Sequence, residues 1–254
     1  MEPHPIETSA RIILLDIEGT TSSVRFVYDE MFPFVRRELA EFLDHNAGKE
    51  AVVAAAKQIA LDGGKSSLKE LVGSDDLSTE AAQQKLTTEV IRQMDADLKA
   101  TGLKDLQGQV WEAGFRSGDL RAHVYDEVPG CMRQWKEAGK ELRIYSSGSI
   151  QAQKLFFGHT VAGNLLPLLS GHYDTTIGSK REAGSYTKIV EDLGCRANEV
   201  IFLSDIVAEL DAAKQAGLQT VLVLRPGNAQ QENPQQHPSL QSFAELAIGK
   251  PSNS

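Results

Sequence analysis

The sequence has few thiols, no long apolar run and no excess of positive charge. Its only cysteines, Cys131 and Cys195, do not lie in a spacing typical of metal sites. We therefore expect both thiols to be reduced, as in proteins of the cytoplasm. No segment is long and apolar enough to span a bilayer, and residues 1–10 lack the apolar core of a signal peptide. The sequence thus predicts a cytoplasmic protein without a membrane partner.

The charge balance argues against nucleic acid as a partner. The chain carries 26 Lys and Arg residues against 35 Asp and Glu residues, a formal net charge of −9. Such a surface repels the phosphate backbone of nucleic acids. An anionic small substrate would need a local group of donors or a metal ion. The length of 254 residues is sufficient to bury a full core, and we expect a monomer by default.

Apolar runs of strand length alternate with helical patterns in the second half of the chain. The first run, Ile12–Leu15, is fully aliphatic, which favours a strand buried on both faces of a parallel sheet. Further strands are predicted at 142–145, 200–203 and 220–224, with a weaker candidate at Tyr173–Ile177. The alternation predicts the α/β class, with a doubly wound parallel sheet.

A long helical stretch separates the first strand from the second. Apolar residues recur there at helical spacing, and Gly102 is interpreted as the C-terminal cap of one helix. We predict a core domain of residues 1–23 and 126–254, with residues 24–125 inserted as a helical cap domain. A closing helix is predicted over Ser239–Ile248, and a frayed end from Pro251.

Polar residues follow the ends of several predicted strands. Each has an ordinary explanation alone, because an aspartate can cap a helix, serines can form a turn and a lysine can be solvated. However, the carboxyl ends of parallel strands meet at one edge of a sheet, where open α/β sheets bind ligands. The residues expected to converge there are Asp16, Glu18, Ser146, Ser147, Lys180 and Asp205.

These residue types suit phosphoryl transfer. A carboxylate can attack phosphorus, which splits one difficult displacement into two steps. Two carboxylates and a main-chain carbonyl form the incomplete oxygen cage that Mg²⁺ prefers. Serine hydroxyls and the backbone N–H groups that begin the next helix can hold phosphate oxygens. Lys180 can offset the remaining negative charge as a point cation. The sequence therefore predicts a phosphatase site.

These residues lie in four motifs, which are Asp16–Thr21, Ser146–Gly148, Lys180 and Leu203–Asp205. In this order they resemble the four motifs of haloacid dehalogenase-type phosphatases. Glu18 stands where that superfamily more commonly has Asp, and this departure is typical of the enolase-phosphatases (acireductone synthases) of methionine salvage. The chain is similar to that family over longer runs as well, at residues 111–115, 147–155, 171–175 and 223–228.

The resemblance implies a Mg²⁺-dependent reaction in two stages. A small phosphorylated diketone, 2,3-diketo-5-methylthiopentyl 1-phosphate, is enolised and then dephosphorylated to the acireductone 1,2-dihydroxy-3-keto-5-methylthiopentene. By resemblance, Asp16 is the nucleophile and a metal ligand, and Asp205 ligates the metal. Glu18 would offer its main-chain carbonyl to Mg²⁺ and its side chain for proton transfer. Ser146, Ser147 and Lys180 would bind substrate.

Several alternatives stay open at this point. The chain could be another capped phosphatase of the superfamily that acts on a sugar phosphate or similar metabolite, a phospho-acceptor signalling domain, or a dehalogenase. Glu209 is either an acid behind the metal site or a plain surface residue. Arg225 either faces substrate or stabilises a loop, and His172 is expected to be a packed or hydrogen-bonded residue rather than a ligand.

Overall fold

The structure, a computed structural model, describes residues 5–248. Its strands are β1 (Ile6–Thr8), β2 (Ile12–Leu15), β3 (Glu141–Tyr145), β4 (Leu169–Tyr173), β5 (Val200–Ser204), β6 (Gln219–Val223), β7 (Ser239–Leu240) and β8 (Leu246–Ile248). Its helices are α1 (Val24–Phe26), α2 (Phe32–Asn46), α3 (Glu50–Asp62), α4 (Leu68–Val72), α5 (Glu80–Asp95), α6 (Thr101–Ser117), α7 (Val128–Glu137), α8 (Ile150–Gly158), α9 (Ala183–Leu193) and α10 (Val207–Gln215). A π-helical segment, Val27–Met31, joins α1 to α2.

Two compact units make up the chain. One is Tyr28–Leu120, and the other is formed by the chain on either side of it. The predicted limits of the insertion were residues 24 and 125, and its assignment as a cap stays a prediction. No helix within residues 5–248 has both the length and the apolar character needed to cross a bilayer.

The unit outside the insertion contains a six-stranded parallel sheet in the order β4-β3-β2-β5-β6-β7. The aliphatic strand β2 lies between β3 and β5, and all four of its residues are buried. Ile12 and Leu14 join an apolar cluster that includes Tyr186 of α9 and Leu210 of α10. Ile13 and Leu15 are buried toward the opposite face, because successive side chains of a strand alternate. The predicted α/β class is confirmed.

Two predicted elements at the sheet are wrong. The weaker strand begins at Leu169 rather than Tyr173 and ends at Tyr173, because the Asp174 side chain accepts hydrogen bonds from the Thr176 N–H and hydroxyl and holds a turn. The predicted closing helix is replaced by β7, a short 3₁₀ turn and β8. Backbone pairing with β6 and β1 outweighs the helical spacing of the apolar residues in that segment. The predicted frayed end from Pro251 lies outside the described residues.

The second unit is helical throughout, as expected, but Gly102 does not cap a helix. It is the second residue of α6, and a Cβ at this position would lie 2.5 Å from the Ile59 nitrogen and 2.8 Å from the Gln58 carbonyl carbon of α3. Glycine is needed there because the two helix backbones approach closely.

Gly102→Ala is expected to lower the free energy of unfolding by about 1–3 kcal/mol, because its methyl group must push α3 and α6 apart. Gly108 of the same helix is the matched control, since its Cβ would meet no atom within 4 Å. Gly108→Ala should leave stability unchanged or raise it by about 0.5–1 kcal/mol. Urea unfolding of the full chain measures both. Equal midpoints for the two variants would contradict the close-packing explanation.

Candidate active site

The loop after β2 is a tight turn that carries Asp16 and Glu18. The Asp16 N–H continues the sheet by donating to the Leu203 carbonyl at 3.0 Å. The Ser22 N–H donates to the Ile17 carbonyl at 2.9 Å, and the Thr21 hydroxyl lies 3.2 Å from the same oxygen. These bonds close the turn over a few residues. Asp16 is consequently buried at the carboxyl end of the sheet, and Glu18 is half-buried beside it.

Lys180 reaches this site from the loop before α9. Its Nζ lies 2.6 Å from Asp16 Oδ1 and 2.7 Å from Glu209 Oε2. Two hydrogen bonds to backbone carbonyls hold the loop in place. The Tyr186 hydroxyl donates to the Lys180 carbonyl at 2.7 Å, and the Tyr145 hydroxyl donates to the Gly178 carbonyl at 3.0 Å. The position of the ammonium group is therefore set by two buried tyrosines.

Asp205 and Glu209 complete the acidic side of the site. Leu203 pairs with Leu15, so Asp205 follows the neighbouring strand at the same edge as Asp16. A Cβ on Gly19, which has a φ of +72°, would lie 2.5 Å from the Asp205 Cγ, so only glycine lets this carboxylate approach the loop. Glu209 is buried and accepts a hydrogen bond from the Ser204 hydroxyl at 2.9 Å. The alternative of a plain surface residue is wrong for Glu209.

Negative charge accumulates at this edge of the sheet. Burial, with Glu209 and Glu18 nearby, raises the pKa of Asp16 well above its usual range despite the opposing effect of Lys180. Burial and then Glu209 raise the pKa of Asp205 to about 7, and burial raises the pKa of Glu18. Burial disfavours the charged form of Lys180, but Asp16 and Glu209 outweigh it and raise its pKa. One ammonium group faces four carboxyl groups, so the cluster favours an additional cation.

The two predicted serines follow β3, the strand on the other side of β2. Ile144 pairs with Leu15, which places Ser146 and Ser147 at the same edge of the sheet as Asp16. Ser146 is buried, and its hydroxyl accepts a hydrogen bond from the Gly148 N–H at 3.3 Å. Ser147 is exposed. The backbone therefore presents one hydroxyl to solvent and uses the other within the loop.

Arg225 stabilises loops behind the site. Its Nε donates to the Thr20 carbonyl at 3.2 Å, and its Nη1 lies 2.6 Å from Glu127 Oε1. The guanidinium stacks 4.1 Å from the centre of the Tyr125 ring. Sequence reasoning missed Asn228, whose amide donates to the Gly19 carbonyl at 2.9 Å and so supports the same turn. An asparagine soon after a predicted strand end was the available signal.

The residues present fit a hard divalent cation. Within residues 5–248, no three His, Cys, Asp or Glu side chains are grouped as a ready-made metal site. The predicted set needs only two side chains, Asp16 and Asp205, because its third ligand is the main-chain carbonyl of Glu18. Oxygen donors and an excess of negative charge are the features that Mg²⁺ requires.

Comparison with known proteins identifies the family. A model of haloacid dehalogenase-like hydrolases matches residues 10–217. An enolase-phosphatase E1 from Sorangium cellulosum is 44% identical over 238 residues, which cover 94% of this chain and 97% of that protein. The chain belongs to the enolase-phosphatase family of haloacid dehalogenase-like hydrolases. An enolase-phosphatase E1 from Xenopus tropicalis is 45% identical over 226 residues, 86% of each chain. The resemblance seen in the sequence is confirmed, and the protein is a phosphatase.

Solved structures agree with this family assignment. The UTR4 protein of Saccharomyces cerevisiae superimposes with a TM-score of 0.75 at 31% identity, over 93% of this enolase-phosphatase and 100% of that chain. An L-2-haloacid dehalogenase, PA0810, superimposes with a TM-score of 0.54 at 18% identity, over 93% and 97% of the two chains. The second likeness shows only that the fold is shared.

Proposed function

We propose that this enolase-phosphatase converts 2,3-diketo-5-methylthiopentyl 1-phosphate to the acireductone 1,2-dihydroxy-3-keto-5-methylthiopentene and phosphate, as a step of methionine salvage. The observation that carries the proposal is the buried contact of Asp16 with Lys180 at the carboxyl end of the sheet. A carboxylate held there beside a cation suits attack on a phosphate ester. Family membership supports the choice of substrate.

In the proposed dephosphorylation, the Asp16 carboxylate attacks phosphorus and the ester P–O bond breaks. The enol oxygen leaves with the bonding electrons and takes up a proton, and water then hydrolyses the aspartyl-phosphate. Lys180 attracts the phosphoryl oxygens to Asp16, and the loop with Ser146 and Ser147 binds them. Mg²⁺, held by Asp16, Asp205 and the Glu18 carbonyl, would supply charge neutralisation for the phosphoryl group.

Enolisation comes before dephosphorylation and needs a base. We assign this role to Glu18, which takes a proton from the carbon that bears the phosphate ester. The Glu18 side chain is half-buried in the same turn as Asp16, and its extra methylene extends its reach beyond that of an aspartate. A carboxyl group in the turn that carries the nucleophile can accept this proton in the first stage and donate it to the leaving enol oxygen in the second.

Phosphate release from the diketo phosphate tests the function. We expect rapid multiple turnover with Mg²⁺, loss of turnover in EDTA, and far slower turnover of sugar phosphates. In deuterated water, Glu18→Gln should lose proton exchange at the substrate carbon while it still binds Mg²⁺. Faster release from a sugar phosphate would instead favour another phosphatase of the superfamily. Retained exchange in Glu18→Gln would exclude Glu18 as the base.

A further inference from the structure

Gln153 is a buried polar residue on the inner face of α8, the helix that follows the serine loop. Only 1% of its surface is exposed. Its Nε2 donates to the carbonyls of Gly148 and Tyr173, both at 2.8 Å. Its Oε1 lies 3.2 Å from His172 Nδ1. The buried Gln153 amide therefore connects two backbone carbonyls and one imidazole ring.

The hydrogen bonds of the Gln153 amide determine which ring nitrogen of His172 carries a proton. A glutamine Nε2 carries two protons, and here both are directed at carbonyl oxygens. Oε1 can only accept, so His172 Nδ1 must be the donor. The imidazole therefore carries a proton on Nδ1 whether it is neutral or charged, and it keeps the amide from turning over.

These bonds join the serine loop to the end of β4. The Tyr173 carbonyl accepts a second hydrogen bond, from the Ser146 N–H at 3.2 Å. The Gly148 carbonyl lies at the other end of the same short loop. Gln153 thus bonds one end of the segment 146–148 directly, at Gly148, and is linked to the other end through the Tyr173 carbonyl that it shares with the Ser146 N–H.

We propose that Gln153 is a positioning residue that holds the Ser146–Gly148 loop in its phosphate-binding conformation, and that His172 fixes the orientation of the Gln153 amide. The inference rests on the proposed function, because it takes the serine loop to bind the substrate phosphate. It assigns no chemical step to either residue. Misplacement of the loop would weaken binding of substrate and of product phosphate together.

Gln153→Glu tests the first part, because glutamate keeps the shape but replaces the donating NH₂ with an oxygen that faces two carbonyls. We expect KM for the diketo phosphate and the inhibition constant of inorganic phosphate to rise in parallel by about tenfold or more, with a smaller change in kcat. Gln153→Met, which adds no charge, should act in the same direction. Gln134→Glu is the matched control, since Gln134 lies on the exposed side of α7, away from the serine loop.

Two substitutions of His172 test the second part. In His172→Asn the amide nitrogen is attached to Cγ, as Nδ1 is in histidine, so the donor to Gln153 can be kept. In His172→Leu the donor is lost. We expect the asparagine variant to keep the wild-type inhibition constant of phosphate within about twofold, and the leucine variant to raise it toward that of Gln153→Met.

The outcomes separate this inference from the proposed function. No phosphate release by the wild type would overturn the proposed function itself. Normal wild-type turnover with unchanged phosphate inhibition in Gln153→Met and His172→Leu would overturn the inference alone. A lower melting temperature with an unchanged inhibition constant in the folded fraction would also overturn it, because Gln153 would then only stabilise the fold.

Discussion

Asp16→Asn is expected to lower phosphate release from the diketo phosphate by about 10⁴-fold or more, because the amide cannot form the aspartyl-phosphate. The variant should fold as well as the wild type. Asparagine has the same shape, Lys180 keeps Glu209 at 2.7 Å, and the crowded site loses one carboxylate. Since burial raises the pKa of Asp16, removing its charge should leave the free energy of unfolding unchanged or higher.

Three measurements check this expectation. Phosphate release gives the loss of turnover, and urea unfolding gives the stability. Acid quenching of the wild type during turnover, followed by mass spectrometry, should show one added phosphoryl group on the peptide that contains Asp16. Asp211→Asn is the control, because this half-exposed aspartate contacts His237 rather than the site. Turnover within tenfold of wild type in Asp16→Asn would rule out the covalent route.

The location of the site could be predicted from the sequence, because each buried strand of a parallel sheet can be recognised from its own run of apolar residues. Ile12–Leu15 and the run at 200–203 are so apolar that they indicate strands buried on both faces, and an aspartate follows each within two residues. Because the two strands are parallel, Asp16 and Asp205 then lie at the same carboxyl edge of the sheet. No knowledge of helix packing was needed for that step.

Edge elements could not be predicted in the same way. The strand β4 pairs only with β3 within the described part of the sheet, and its Ser170 and His172 break the apolar pattern. The segment after Ser239 has apolar residues at helical spacing, yet long-range pairing with β6 and β1 makes it extended. In both places contacts distant in sequence outweigh the local signal.

Gly102 and Gln153 show a second limit. Both contact partners in other elements, Gly102 against α3 and Gln153 at the end of β4. A glycine shortly after an apolar helical pattern suggests a cap, but Gly102 lies inside α6, where the close approach of α3 requires glycine. Gln153 occupies the apolar face of α8, three residues before Phe156, which was the one available sign that its amide is buried.

Lys180→Met is the substitution with the largest expected effect on stability. It leaves Asp16 and Glu209 buried without the ammonium group that lies 2.6 Å and 2.7 Å from them. Breaking a buried ion pair from one side costs about 3–5 kcal/mol, because the remaining charge loses its compensation. We expect a loss of that size in the free energy of unfolding near pH 7, and a fall in kcat/KM of about 10²–10³-fold.

The dependence on pH distinguishes lost charge compensation from lost packing. A carboxyl group whose pKa is higher in the folded state than in the unfolded chain destabilises the fold progressively as pH rises from the unfolded pKa to the folded one. Asp205, with a pKa of about 7, already behaves so, and the loss of Lys180 should raise the pKa values of Asp16 and Asp205 further. The free energy of unfolding that Lys180→Met loses relative to the wild type should therefore become smaller as pH is lowered from about 7 to about 5. Urea unfolding of both proteins at both pH values measures this loss.

A double variant provides the matched control. Lys180→Met with Glu209→Gln removes one of the two carboxylates that the ammonium group contacts, so it should recover part of the lost stability. Phosphate release should stay low, because the cation that attracts the phosphoryl oxygens is still missing. The loss in free energy of unfolding could instead be the same at both pH values and unchanged by Glu209→Gln. That result would show that Lys180 stabilises the site by packing rather than by charge.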